Sequence, residues 1–183
     1  MANRQYAPSY LPPVPHGQVS EVSDSETHSR NLLGPTFFDL YDLRAEGGTA
    51  QPLPPDFIAP GNSPFIIASD EEFTASVKIK FNNSPLTKLL LCLGTTIKVT
   101  FSFEGIGANA TEVDLVATET TEKDKLEYTI KWTGTPDFAE LTAGFYEIAA
   151  IAEIGPAKHP CAQFIFGYGY VAKALLQVYK AFS

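Results

Sequence analysis

Three segments of this chain alternate apolar and polar residues with a strict period of two, and that pattern limits the fold more than any other feature. Phe73, Ala75, Val77, Ile79 and Phe81 interleave with Thr74, Ser76, Lys78 and Lys80. Ile97, Val99, Phe101 and Phe103 interleave with Lys98, Thr100 and Ser102, and Leu126, Tyr128, Ile130 and Trp132 with Glu127, Thr129 and Lys131. Successive side chains of a strand point to opposite faces, so each segment predicts a strand with one buried and one wet face. Their β-branched and aromatic content agrees.

Further strands are expected between these. Val113 to Thr118 alternates over a short span, and Phe65 to Ser69 reads as an edge strand. Phe145 to Ile154 is apolar at both parities, as in a strand covered on both sides. Gln163 to Tyr170 sets Phe164, Phe166, Tyr168 and Tyr170 on one face and Gly167 and Gly169 on the other, with the aromatics read as core. Turn signals separate the runs at Asn82 to Pro85, Gly105 to Ala110, Gly134 to Pro136 and Gly155-Pro156. Leu86 to Leu93 suits a short helix or a buried strand, and Val171 to Phe182, free of Gly and Pro, reads as a C-terminal helix. About seven short strands with turns between them describe a mainly β, antiparallel β-sandwich over residues 64–183.

Nine of the fourteen prolines fall in residues 1–63. With the polar run SEVSDSETHS, this segment offers too little apolar area to offset its ordering entropy, and it reads as a disordered, Pro-rich arm. Phe37-Phe38-Asp39-Leu40-Tyr41-Asp42-Leu43 interrupts it, with five apolar or aromatic residues in seven. Such a segment is built to be covered. Either it packs back on its own domain, or Phe37, Phe38, Leu40, Tyr41 and Leu43 form a short motif that folds against a partner.

One stretch carries a resemblance. In Leu141-Thr142-Ala143-Gly144-Phe145-Tyr146-Glu147-Ile148, a Leu and a Gly precede a Tyr that opens a long apolar strand. This resembles the corner leading into the sixth strand of immunoglobulin-like and fibronectin-like domains. The resemblance implies that Tyr146 bonds through its hydroxyl to nearby backbone and that Trp132 is a core residue of the preceding strand. The cysteine pair and tryptophan placing of antibody domains are absent.

The formal charge of −8 disfavours nucleic acid, whose phosphates require clustered Lys and Arg, and equally disfavours docking on anionic lipid. The opening residues hold four prolines and no apolar run, and no stretch approaches the length of a membrane span, so a soluble, intracellular (cytoplasmic) protein is expected. Cys92 and Cys161 read as two buried free thiols, although one disulfide is arithmetically possible. His16, His28 and His159 share no ligand spacing with each other or with the cysteines, and no metal or cofactor is expected. His159 and Cys161 straddle Pro160, a poor template for a nucleophilic pair. Asp70-Glu71-Glu72 and the Glu119, Glu122, Asp124 group read as solvated loops. Gly105-Ile106-Gly107 lacks the remainder of a phosphate loop.

The reading that follows is a non-enzymatic interaction or assembly module whose arm binds a protein partner or a neighbouring subunit. A second is a viral structural protein of matrix type. Gln5 to Pro13, with Tyr6, Tyr10, Pro12 and Pro13, looks like the host-recruiting stretch of such tails, without completing a PPxY, PTAP or YPxL motif. A third is a small-molecule binding or hydrolytic domain with a cleft beside Phe164 to Tyr170.

Overall fold

The computed structural model describes residues 36–48, 64–108, 110–155 and 167–181. Its elements, in order, are β1 (Phe38–Gly47), β2 (Ile66–Ala68), β3 (Phe73–Phe81), α1 (Pro85–Cys92), β4 (Thr96–Ile106), β5 (Val113–Thr120), β6 (Glu127–Gly134), β7 (Gly144–Gly155) and β8 (Gly167–Tyr179). They form a three-stranded sheet, β1-β3-β6, and a five-stranded sheet, β2-β8-β7-β4-β5, the latter curled into a half-barrel. All pairings are antiparallel except β2 with β8.

The three alternating segments become β3, β4 and β6, and their apolar parities face one shared core. Phe73 meets Phe103 edge-on across the two sheets, at 6.0 Å between ring centroids, and Phe81 meets Tyr128 at 6.0 Å. Trp132 packs against this core from its rim, 5.3 Å from Phe73. The Tyr146 hydroxyl donates to the Thr142 carbonyl at 2.7 Å and pins the loop that enters β7.

The aromatic segment of the expected arm is itself a strand of the fold. β1 pairs with β3 from Phe38↔Phe81 to Gly47↔Phe73, so the ordered domain begins well before residue 64. Phe38 and Leu40 point inward and are fully buried, because extended backbone sends alternate residues to the core. Asp42 adopts φ 55° at a bulge between Tyr41 and Arg44. That extra residue resets the parity, so Leu43 is partly buried and Ala45 points inward.

Two expectations about the C-terminal half are corrected. Val171 to Tyr179 continues β8 and is not helical. Ala149 of β7 opposes both Ala172 and Lys173, where the register slips by one and Lys173 takes φ 80°. The bulge puts Val171 and then Leu176 and Val178 in the core, an odd-to-even switch that hides the period of two. The tyrosines also face outward while the glycines face inward. A Cβ on Gly169 would lie 2.5 Å from the Phe38 ring, so the bare backbone there makes room for β1.

The segment that suited either helix or strand is α1. Ser84 caps it, its Oγ accepting from the Thr87 amide at 3.1 Å, with Pro85 in the first turn and Gly94 at φ 73° just past the end.

Candidate functional site

The site is the outer face of the five-stranded sheet. β4, β5 and β7 turn one parity inward, so the opposite parity forms a continuous surface across β5, β4, β7 and β8. The register aligns its side chains in transverse rows. One row runs Val116, Thr100, Ile151, Tyr170, and the next Thr118, Lys98, Glu153, Tyr168. Partners in such rows sit within side-chain contact range, so Val116, Ile151 and the tyrosines read as one apolar band with Thr100 inside it. Val116 is 49% exposed, Ile151 37% and Tyr168 50%.

Polar pairs border the band on both sides. Lys98 Nζ lies 3.0 Å from Glu153 Oε2, and the Ser102 hydroxyl donates to Asp114 Oδ1 at 2.6 Å. The following row holds Glu104, Glu147 and Leu175, and beyond it stand Ile106, Phe145 and Gln177. Leu175, Ile106 and Phe145 are all exposed. The apolar band thus lies between two polar rows, with a second group of exposed apolar residues beyond one of them.

The sequence carried a signal for this face in the double-parity apolarity of Phe145 to Ile154. That pattern predicts cover on both sides. In fact Tyr146, Ile148, Ala150, Ala152 and Ile154 are buried, while Phe145 and Ile151 are exposed. Val116 stands in so short an alternating run that nothing marked it out.

The residues expected to bind a partner are divided by the fold. Phe38 and Leu40 are core, with the Phe38 ring 5.8 Å from that of Phe81. Leu43 is partly buried against the core. Only Phe37 and Tyr41 are exposed, at the outer face and end of the smaller sheet. Asn82 Oδ1 accepts from the Phe37 amide at 3.0 Å, and the Phe37 carbonyl accepts from the Asn82 amide at 3.0 Å. Tyr6, Tyr10, Pro12 and Pro13 lie outside the described residues, as do Phe164, Phe166, His16, His28, His159 and Cys161.

Around Tyr41 the surface is ionic. Asp42 accepts from Lys78 and from Arg44, each at 2.6 Å, and Arg44 reaches Glu46 at 3.5 Å. The Lys78 ammonium above all, with Arg44 beside it, holds the Asp42 carboxyl below its usual range against the opposing effect of burial. Cys92 is a free thiol and is exposed, contrary to the expected burial. Glu71 closes its own turn, accepting from the Ala68 amide at 3.1 Å, and Lys125 bridges Glu119 at 2.9 Å beneath the β5–β6 turn. Burial pushes the nearby Tyr128 hydroxyl up, while the Glu122 amide donates to it at 2.9 Å.

Among the described residues no group of three or more His, Cys, Asp and Glu side chains could hold a metal ion. A hollow between α1 and the sheet ends, lined by Thr36, Phe81, Thr87, Leu90, Leu91, Thr95 and Ile154, has only about 10 Å³ for the centre of a water molecule. Among the described residues no helix is long and apolar enough to cross a membrane. No protein-family model matches the chain, and no curated protein is significantly similar to it in sequence.

Proposed function

We propose that the chain is a non-enzymatic interaction and assembly module that docks a protein through the outer face of its five-stranded sheet. The observation that carries this is the band of exposed Val116, Ile151 and Tyr168 with half-buried Tyr170, framed by Lys98–Glu153 and Ser102–Asp114. Tyrosines suit such a surface because each presents a rigid apolar body with a polar tip. The expected role of the arm contracts accordingly to Phe37 and Tyr41 and the residues before them, since Phe38 and Leu40 hold the core.

The same reading takes the domain as immunoglobulin-like. Strands β1, β3 and β6 opposite β4, β7 and β8 correspond in chain order to the two sheets of that sandwich, and the Tyr146–Thr142 bond corresponds to its tyrosine corner. In immunoglobulin-like and other sandwich domains function resides in grafted surfaces, so the fold assignment carries no partner with it.

Photocrosslinking in native lysate tests the interaction reading. A photoreactive residue at Tyr168 is expected to give discrete protein adducts, whereas one at Thr129, on the outer face of the smaller sheet, is not. Equal labelling at both positions, or none at Tyr168, overturns the reading.

A further inference from the structure

We propose that this face binds a second copy of the chain about a two-fold axis parallel to the strands and lying between β4 and β7. The proposal rests on the interaction reading above and names its partner.

The argument is one of self-complementarity. An isologous contact must present the same patch twice, and a two-fold relating two stacked sheets lies in the plane between them. Placed along the strands between β4 and β7, it keeps each transverse row at its own height and reverses its order. The row Thr118, Lys98, Glu153, Tyr168 then meets its own reverse, so that Lys98 faces the second copy's Glu153 and Glu153 faces its Lys98. The row Val116, Thr100, Ile151, Tyr170 sets Val116 over Tyr170 and Ile151 over Thr100. In the third row Asp114 meets Lys173, which the β8 bulge holds outward and exposed.

Turning the axis across the strands removes this match. Centred on the apolar row, it would set Lys98 over Ser102 and Glu153 over Ala149, leaving no charge opposite its complement. Of these two placements, the axis along the strands is the one that matches the charged border as well as the apolar band. It also brings Glu104 opposite Glu147 in the next row, a like-charge contact that marks one end of the footprint.

Size sets the expected strength. Strands about 4.8 Å apart and about 3.3 Å per residue give a four-strand face of roughly 500 Å² in plan per copy. Because the sheet curls around its core, contact centres on β4 and β7 and two copies bury less than the roughly 1,000 Å² at which specific interfaces begin, so a dissociation constant on the order of 100 µM is expected.

The test uses purified full-length chain in sedimentation equilibrium, with K98E, E153K and I151D, each checked for native circular dichroism. Wild type is expected to dimerise. K98E alone and E153K alone should each weaken dimerisation at least about ten-fold by setting like charges opposite each other. An equimolar mixture of the two should recover it, because the carboxylate at position 98 of one variant then faces the ammonium at position 153 of the other. Each variant keeps its own internal repulsion in the mixture, so recovery reports contacts between copies alone. I151D should abolish association, and E104K should tighten it by relieving the Glu104–Glu147 contact. Wild type that stays monomeric to about 1 mM overturns the inference, as does dimerisation without recovery in the mixture. The interaction reading itself fails separately, when a photocrosslinker at Tyr168 traps no protein in lysate.

Discussion

The two sheets share one core and differ on their outer faces. The smaller sheet turns Thr74, Lys78, Lys80, Glu127, Thr129, Lys131 and Thr133 outward, and most of its charges are paired. Lys78 and Arg44 share Asp42, Lys80 meets Glu127, and the Thr74 and Thr133 hydroxyls bond at 3.0 Å. The larger sheet turns out Val116, Ile151, Tyr168 and Tyr170 between the Lys98–Glu153 and Ser102–Asp114 pairs, and Leu175 and Phe145 further along, beside and beyond Glu104 and Glu147. A face laced with exposed ion pairs is complete in water, although each pair adds little stability. A contiguous apolar band gains free energy by being covered. The comparison therefore leaves the smaller sheet complete in water and the larger one with an apolar band open to cover, which is the contrast the proposed function rests on.

The largest effect expected concerns what the smaller sheet needs in order to exist. Removing residues 1–63 takes away β1 and with it Phe38 and Leu40, and the cooperative thermal transition should disappear. Removing only residues 1–35 should preserve it. Phe38→Ala alone should cost about 3–5 kcal/mol in denaturant unfolding. A stable 64–183 fragment would mean that the smaller sheet is complete without its first strand.

Next comes the junction between the sheets. Gly169→Ala places a methyl against the Phe38 ring, which already packs on Phe81 and has little room to retreat. A loss of about 1–3 kcal/mol is expected, with partial recovery when Phe38→Leu is added, since the smaller side chain vacates that space. No change on Gly169→Ala would show that β1 and β8 pack more loosely than their geometry indicates.

The outer faces themselves call for a matched pair. Val116→Lys with Ile151→Lys, and separately Thr129→Lys with Ser76→Lys, should each leave stability within about 0.5 kcal/mol. Only the first pair should lower the binding of a dye specific for apolar surface, by several-fold. Equal dye binding by both would erase the distinction between the faces.

The smallest effect probes the ionic face through pH. Lys78 and Arg44 hold the folded Asp42 carboxyl below its ordinary range, so its ionic contribution is present above that range and fades as pH falls through the lower folded pKa. Asn tolerates the φ 55° backbone, which isolates the charge in Asp42→Asn. The variant should melt about one or two degrees below wild type near neutral pH and converge with it in strong acid. A constant difference across that range would assign the effect to backbone geometry.

The sequence by itself determined the β class and the inward faces of β3, β4 and β6, written in local alternation, and the edge position of β2, while the resemblance of Leu141 to Ile148 to an immunoglobulin-like corner implied the bond made by Tyr146. For Leu86 to Leu93 the sequence left helix and strand open, and the fold resolves it as α1 between the Ser84 cap with Pro85 and the Gly94 stop. Tertiary structure alone decided the rest. Bulges at Asp42 and at Ala172–Lys173 switch the parity within β1 and β8, so no single alternating pattern runs through either strand. A segment of high helix propensity became a strand because β7 offers it a full antiparallel edge and buries Val171, Leu176 and Val178. Whether an apolar residue faces core or solvent also escapes local reading. Phe38 is enclosed because Gly169 lets it approach, while Ile151 remains on the surface because no described element lies over its side of the sheet. Burial is a property of what packs opposite, and that depends on residues far away in the chain.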